Sequence, residues 1–385
     1  MLILLAMCSA LSVTVGSSLV TVSVLSGKIL ASPALMTLPL GVHYLTIAAS
    51  MFVLNMAMAR WGRKPIYLIG ALFCVAGGCL AAFAMMQSSF ALLVFSSFLL
   101  GIFAATAHTY RFALIDKAAV EDHPRLISLV LAGGLIAAFL GPQLSHLSHD
   151  LLAQIFAGTY VMIAGVGVLT FALMSFAQFV PPPKPDPPRD VRDLRCIITH
   201  PLFITALVCG MVSYGAMTGL MGVTPHAMHS YGHGLHSSAL TIQWHVVAMF
   251  APSFFFGLLV KRLGLMTVLL VGAGFYILCT VILWFSHAVM SFHIALVALG
   301  IGWNFLYTGG TTLLARCYRP AERFFCQGIN DTFVFASSGL TALFSGAFLV
   351  WFGWQAFIAL VAILGILAAG VVLIGSRLGR VPSTS

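Results

Sequence analysis

Long apolar runs separated by short polar breaks fill the sequence. A helix that crosses a bilayer needs roughly 20 mostly apolar residues, and the runs of that length predict about twelve spans. We place them at 2–25, 34–58, 66–86, 90–113, 126–148, 152–179, 200–227, 238–260, 265–286, 289–315, 324–350 and 353–375. The pattern therefore predicts an all-α integral membrane protein.

The most polar break divides these spans into six and six. Its sequence, PPPKPDPPRDVRDLR at 181–195, is too rich in proline for a helix and carries enough charge to stay in water. RWG at 60–62 follows the second span, and RLG at 262–264 follows the eighth, which indicates a repeat. We predict two pseudo-symmetric six-helix bundles joined by a cytoplasmic linker. Their bounds are 1–180, 181–199 for the linker, and 200–385, which includes a short cytoplasmic tail.

Composition and charge agree with a membrane protein. Only 7% of the residues are charged, against about 25% in soluble proteins. The net charge is +9, and all of the 18 Lys and Arg except Lys28 lie at alternate breaks or in the tail. By the positive-inside rule this distribution places both termini in the cytoplasm. The basic charge therefore orients helices and does not predict nucleic-acid binding.

The sequence lacks the common catalytic motifs. It contains no G-x-x-x-x-G-K-[ST], H-E-x-x-H or G-x-S-x-G, and most of its 9 acidic residues lie in the polar breaks. No paired carboxylates for acid–base catalysis are evident. We predict neither an enzyme nor a prosthetic group.

Two short stretches place sulfur and imidazole at helical spacing. MTGLM at 217–221 and HVVAM at 245–249 each carry two such side chains four residues apart, hence on one helix face. With a turn centred on His233, the two pairs lie at equal depth on neighbouring antiparallel helices. Neutral soft ligands select Cu(I), whereas the 17 methionines could also be adaptable core filler. The candidate metal ligands are Met217, Met221, His245 and Met249.

Other polar residues lie in or between the spans. The connection HAMHSYGHGLH is either a metal-gathering entrance or a solvated turn, and its histidines are His226, His229, His233 and His236. Asp331 is either a carrier of the coupling proton or a structural partner of Asn330. Arg111 and Asp116 are expected to form a conformational ion pair. The candidate cavity-lining residues are His43, Tyr44, His108, Asn304, Tyr307 and Asn330.

Span number, halves, linker and loops together resemble the major facilitator superfamily. RWGRKP at 60–65 is similar to the loop motif of that family between its second and third helices. The sequence departs from this motif at Ala59, where the family has an acid, and at Asn55, where it has glycine. AGGLIAAFLGP at 132–142 resembles the family's fifth-helix motif, which in this chain equally fits close helix packing. The resemblance implies alternating access around a site near the middle of the membrane.

Within that superfamily the paired motifs resemble the CcoA-like bacterial copper importers. MxxxM on the seventh span and HxxxM on the eighth carry this resemblance, while stretches such as GWNFLYTGGTTLL at 302–314 mark a broader branch that includes riboflavin importers. The resemblance implies copper import, as Cu(I), across the bacterial inner membrane for cytochrome oxidase assembly. Copper is then the substrate, a proton is a candidate coupling ion, and a copper chaperone is a candidate partner.

Three alternatives stay open at the level of sequence. A riboflavin or flavin importer needs stacking and hydrogen-bonding residues. Drug or metabolite efflux would use the methionines as an adaptable apolar lining. A metal-sensing or assembly partner would transport nothing. The candidate flavin-lining residues are Tyr44, Tyr110, Trp303, Asn304 and Asn330.

Overall fold

A computed structural model describes residues 1–32, 35–36, 38–148, 150–179 and 193–378. Within these ranges the regular structure consists of α-helices and short 3-10 turns, without a strand. The all-α class predicted from the apolar pattern is confirmed.

The helices follow one another with short connections. Before the predicted linker they are α1 Leu2–Leu30, α2 Leu38–Trp61, α3 Arg63–Met86, α4 Phe90–His108, α5 Tyr110–Ala113, α6 His123–Ala132, α7 Gly134–Ser148 and α8 Ala157–Phe176. After it they are α9 Leu194–Ile198, α10 Pro201–Ser230, α11 Leu235–Phe250, α12 Ser253–Leu263, α13 Leu265–Phe285, α14 Val289–Leu314 and α15 Arg323–Leu378.

Ten helical stretches of the described chain are long and apolar enough to cross a membrane. An eleventh span is the pair α11 and α12, which bends by 48° where Pro252 lacks the N–H needed to continue the helix. The helix α15 has 56 residues, roughly 84 Å at 1.5 Å per residue, but a bilayer core is about 30 Å thick. A non-helical glycine, Gly353 with φ 80°, divides α15 into two spans. The described chain therefore contains the twelve predicted spans, with the eighth bent rather than straight.

The chain forms two compact units. One comprises Met1–Lys117 and Leu129–Pro182, and the other comprises Ala118–Ser128 and Pro183–Ser385. The predicted first bundle, 1–180, includes the segment 118–128, which here belongs to the second unit. This segment packs on α12, where a Cβ on Gly257 would lie 2.9 Å from Cβ of Arg125. The predicted linker residues 181–192 lie outside the described ranges, and the domain bounds stay predictions.

In the first unit, α3 packs against both α4 and α8, α2 packs against α4, and α1 packs against α7. Small and aliphatic side chains fill the core, and Leu93, Leu100 and Phe103 of α4 are fully buried in it. This unit is held together by close helix contacts of the kind that small residues permit in membranes.

In the second unit, α14 is the central helix. It packs against α10, α11 and α13, and every residue from Gly302 to Leu314 is buried. The helices α10 and α11 contact each other sparsely, because α10 packs mainly along α15 and then α14, and α11 packs mainly along α14. The two helices are in contact, as their short connection predicts, but most of each helix packs on other helices, and α14 contacts both.

The sequence repeat corresponds to a repeated backbone turn. Gly62 of RWG has φ 84°, and Gly264 of RLG has φ 83°. Residues with a Cβ rarely adopt this conformation, whereas glycine does so at little cost. Both units thus pass from one span to the next through the same glycine turn.

Candidate functional site

The helices α11 and α14 pack in parallel with a constant register. His245 of α11 contacts Leu296 through a hydrogen bond, and Ser253, the first residue of α12, contacts Asn304, with a sequence separation of 51 in both cases. Between them lies Gly300, where a Cβ would be only 2.6 Å from the carbonyl oxygen of His245. The absence of a side chain at Gly300 therefore allows α14 to approach the backbone around His245 closely.

His245 is fully buried and has a defined tautomer. Its Nδ1 lies 2.7 Å from the carbonyl oxygen of Leu296, and because a carbonyl only accepts hydrogen bonds, Nδ1 carries the proton. In a neutral ring the lone pair is then on Nε2. This Nε2 atom is buried and has no hydrogen-bond partner among the described residues.

Asn304 stabilises the bend between α11 and α12. Its Nδ2 donates to the carbonyl of Met249 and to Oγ of Ser253, both at 2.7 Å. The last carbonyls of a helix have no partner inside it, so Asn304 satisfies one that the end of α11 leaves free. The Oδ1 atom of Asn304 is buried without a partner in the described chain. Asn304 thus links α14 to the α11–α12 bend through hydrogen bonds, and it is also a candidate lining residue.

An aromatic cluster lies next to Asn304 on α14. Trp303 and Tyr307 of α14 stack with ring centres 5.1 Å apart and an angle of 29° between them. Tyr214 of α10 meets both rings edge-on, at 5.3 and 4.8 Å. Phe335 of α15 lies 4.8 Å from Tyr214, and Phe250 of α11 lies 5.6 Å from Trp303. We call these five residues the aromatic cluster, and four helices contribute to it.

Tyr214 is the half-buried member of the aromatic cluster, and the other four rings are buried. The indole Nε1 of Trp303 has no hydrogen-bond partner in the described part of the chain. Aromatic faces with a few unsatisfied polar atoms suit a flat conjugated ligand. Tyr214, Phe250 and Phe335 were missed from sequence, although Tyr214 lies one turn before Met217 and Phe250 directly follows Met249.

The four predicted metal ligands lie on the two helices that α14 joins. His245 is 0%, Met217 6% and Met249 7% exposed, whereas Met221 is half-buried. The backbone of Met249 lies against Gly300 of α14, like that of His245. The ligand assignment to these residues stays a prediction.

The predicted entrance histidines are not gathered into a cluster. His226, His229 and His236 are exposed, and half-buried His233 contacts the carbonyl of His287 through Nε2 at 2.6 Å. In the described ranges no three residues among His, Cys, Asp and Glu are placed to hold a metal ion. His233 instead joins the α10–α11 connection to the α13–α14 connection, where Tyr231 stacks on His287 at 4.1 Å.

Two buried polar residues of α15, Asn330 and Asp331, are paired with each other. Asp331 is fully buried and accepts a hydrogen bond of 2.9 Å at Oδ1 from Nδ2 of Asn330. It lies one helical turn before Phe335 of the aromatic cluster. The structural partner expected for Asp331 is thus present, and a coupling role for Asp331 stays a prediction.

In the first unit Asp116 forms its ion pair with Arg63. Nε and Nη2 of Arg63 lie 2.9 and 3.2 Å from the two carboxylate oxygens, and the two side chains are 1% and 3% exposed. Arg111 donates to the carbonyl of His108 and lies over the ring of Phe112. Arg63 of the RWGRKP motif, which the sequence did not single out for this pair, thus reaches Asp116 bidentately. The predicted pair of Arg111 with Asp116 stays a prediction.

The remaining candidates of the first unit lie on α2, α4 and α5. His43 is buried with no partner for Nδ1 in the described chain, and its ring meets that of half-buried Tyr44 edge-on. His108 is half-buried, and fully buried Tyr110 packs on Tyr67 at 4.8 Å. None of them belongs to the second unit that holds the aromatic cluster.

A separate cavity of about 480 Å³ lies among α2, α3 and α4. Its walls are mostly apolar, and Thr46 and Ser50 are its two polar lining residues. With two hydroxyl groups it offers little to orient a polar ligand, so we do not assign the transport site to it.

Comparison with known proteins gives the family. The sequence profile of the Major Facilitator Superfamily matches residues 2–303 and 206–384. The riboflavin transporter RfnT of Brucella anthropi is 36% identical over 332 residues, which cover 85% of this chain and 83% of that protein. The multidrug resistance protein MdtL of Escherichia coli is 26% identical over 71% of this chain and 70% of its own.

The solved structure of the human organic anion transporter MFSD10 shares the fold. It matches with a TM-score of 0.76 over 96% of this chain and 98% of that one, at 11% sequence identity. Together with the twelve spans and the matched profile, these similarities identify a multi-pass membrane protein that belongs to the major facilitator superfamily.

Proposed function

We propose that this protein is a secondary transporter that takes up riboflavin, or a closely related flavin, across the bacterial cytoplasmic membrane. The observation that carries the proposal is the 36% identity to a riboflavin transporter over 85% of the chain. The aromatic cluster supports it. An isoalloxazine ring is flat, conjugated and edged with hydrogen-bonding atoms, so its binding site requires aromatic rings to stack on it and polar groups to meet its edge.

The unsatisfied polar atoms beside the cluster add to this support. Buried polar groups are normally hydrogen-bonded, yet Nε2 of His245, Oδ1 of Asn304 and Nε1 of Trp303 have no partner in the described chain. A ligand that offers both N–H and C=O groups would satisfy such atoms, and a flavin carries both.

Copper import is the second candidate. The buried side chains of Met217, Met249 and His245 favour it, since thioether and imidazole are soft neutral ligands. The three relatives described above include no copper transporter, and the greater identity is to RfnT. We therefore place flavin uptake ahead of copper import, and ahead of drug efflux as suggested by MdtL.

Expression in a riboflavin-auxotrophic bacterium without its own uptake system tests the proposal. We expect growth at low external riboflavin and saturable uptake of labelled riboflavin. Tyr214→Ala should reduce uptake about tenfold or more, because base–aromatic and ring-stacking contacts are worth roughly 1–3 kcal/mol. Tyr214→Phe keeps the ring and should retain most of the uptake.

A matched control and a copper measurement complete this test. Phe95→Ala removes one ring of an exposed stacked pair with Phe98, outside the aromatic cluster, and should leave uptake unchanged. Copper accumulation is measured in the same strain. The proposal is overturned in favour of copper import if the wild-type protein takes up copper but no riboflavin. In that case Met217→Ala should abolish copper uptake at normal protein level.

A further inference from the structure

We propose that His245 presents Nε2 as a fixed hydrogen-bond acceptor for an N–H group of the transported ligand. In a flavin this group is the imide N3–H of the isoalloxazine ring. The inference rests on the proposed function and adds which atom of the protein selects which edge of the substrate.

His245 carries its proton on Nδ1. The bond of 2.7 Å from Nδ1 to the carbonyl of Leu296 places the proton on Nδ1. Since Leu296 belongs to α14, the helix packing holds the ring orientation, and Gly300 lets the two backbones approach closely enough for this contact. The imidazole is therefore oriented before any ligand arrives, with its acceptor atom committed to no residue of the described chain.

The Nε2 acceptor of His245 is costly to leave without a donor. His245 is 0% exposed, and a buried acceptor without a donor is unfavourable unless something compensates it. An ionisable residue inside a membrane span is a functional candidate for the same reason. A donor from a ligand would remove this cost, and a purely structural histidine needs only the bond to Leu296.

Two further polar atoms on α14 have no partner in the described chain. Oδ1 of Asn304 is a second unsatisfied acceptor, and Nε1 of Trp303 is an unsatisfied donor, both on α14 about two turns beyond Leu296. The ring of Phe250, five residues after His245, packs on Trp303 at 5.6 Å. Acceptors and a donor at the margin of aromatic rings match a flat heterocycle that carries an N–H between carbonyl groups.

The proposal is tested by changing the acceptor and the donor together. His245→Asn keeps an amide N–H near the position of Nδ1, so that the bond to Leu296 can form, but it lacks an atom at Nε2. His245→Gln instead places an amide near the position of Nε2. The ligand change is riboflavin against 3-methylriboflavin, in which a methyl group replaces the imide hydrogen.

Competition with labelled riboflavin uptake gives the relative affinity of both compounds. In the wild-type protein we expect N3 methylation to weaken inhibition about tenfold or more, because a site built around a ligand N–H discriminates against an analogue without it. In His245→Asn the apparent affinity for riboflavin should fall by a similar factor. Methylation of N3 should then lower the affinity little further. His245→Gln should retain part of the wild-type discrimination.

His293→Asn is the matched control, since this histidine lies at the same helix pair and bonds to Thr241 and to the carbonyl of Val289. It should keep the wild-type discrimination. Unchanged discrimination in both His245 variants, at normal uptake, overturns the role of His245 and leaves the flavin proposal standing. Absence of riboflavin uptake by the wild-type protein overturns both proposals.

Discussion

At the scale of single residues, the buried pair of Arg63 and Asp116 has the clearest energetic consequence. The two side chains are almost completely buried, and Arg63 also contacts Tyr67 at 3.5 Å. Removing one partner of such a pair leaves an uncompensated charge in a region of low dielectric constant, whereas removing both does not. The pair therefore ties α3 to the segment after α5 more strongly than an exposed salt bridge would.

Arg63→Ala should destabilise the protein by about 3–5 kcal/mol, as found for broken buried ion pairs. The double variant Arg63→Ala/Asp116→Ala should be less destabilised than Arg63→Ala alone. Thermal unfolding of detergent-purified protein measures both. Lys64→Ala is the control, because Lys64 is part-exposed and donates to the carbonyl of Ser175, and it should cost about 1 kcal/mol or less. Equal effects of Arg63→Ala and Lys64→Ala would contradict the prediction.

At the scale of helices, the close contact of α11 and α14 depends on Gly300. A Cβ at this position would meet the carbonyl of His245 at 2.6 Å and the backbone nitrogen of Met249 at 3.0 Å. Backbone atoms cannot rotate away as a flexible side chain can, so the two helices would have to separate. That movement would also disturb the bonds of His245 and Asn304 between the helices.

Gly300→Ala should therefore destabilise the protein by about 1–3 kcal/mol and weaken riboflavin uptake. Gly274→Ala makes the same change in α13, where the Cβ would meet no atom within 4 Å. In this control the higher helix propensity of alanine should stabilise by up to about 1 kcal/mol. Thermal unfolding and uptake are measured for both variants. A Gly300→Ala protein as stable as Gly274→Ala would show that the helix contact is not tight.

At the scale of the whole molecule, the charge distribution predicts the orientation in the membrane. Lys and Arg concentrate at alternate connections, and the predicted cytoplasmic connections include the glycine turns at Gly62 and Gly264. The connection between α10 and α11 should then lie outside the cytoplasm.

Insertion of alkaline phosphatase, which is active only outside the cytoplasm, tests this orientation. We expect an active enzyme after Gly234, in the exposed α10–α11 connection. We expect an inactive enzyme after Gly264 and after Pro187 of the predicted linker. Activity after Pro187 or Gly264 would reverse the predicted topology.

The sequence by itself determined the features that depend on neighbouring residues. Apolar runs of sufficient length predict the twelve spans, because each span must satisfy its own backbone in lipid. Proline at 181–183 and 187–188 predicts the central break, and the RWG and RLG sequences predict the repeated glycine turns. Spacing also predicts that His245 and Met249 share a helix face.

Only the tertiary structure decided which distant residues meet. It pairs Asp116 with Arg63, 53 residues away, and it assembles the aromatic cluster from four helices. It also determines the tautomer of His245, through a carbonyl 51 residues away. Periodicity along one helix defines a face but not the helix that covers it, so the placement of α14 between α10 and α11 could not be derived from spacing. The physical reason is that these contacts depend on side-chain packing and close backbone approach between helices, as at Gly300.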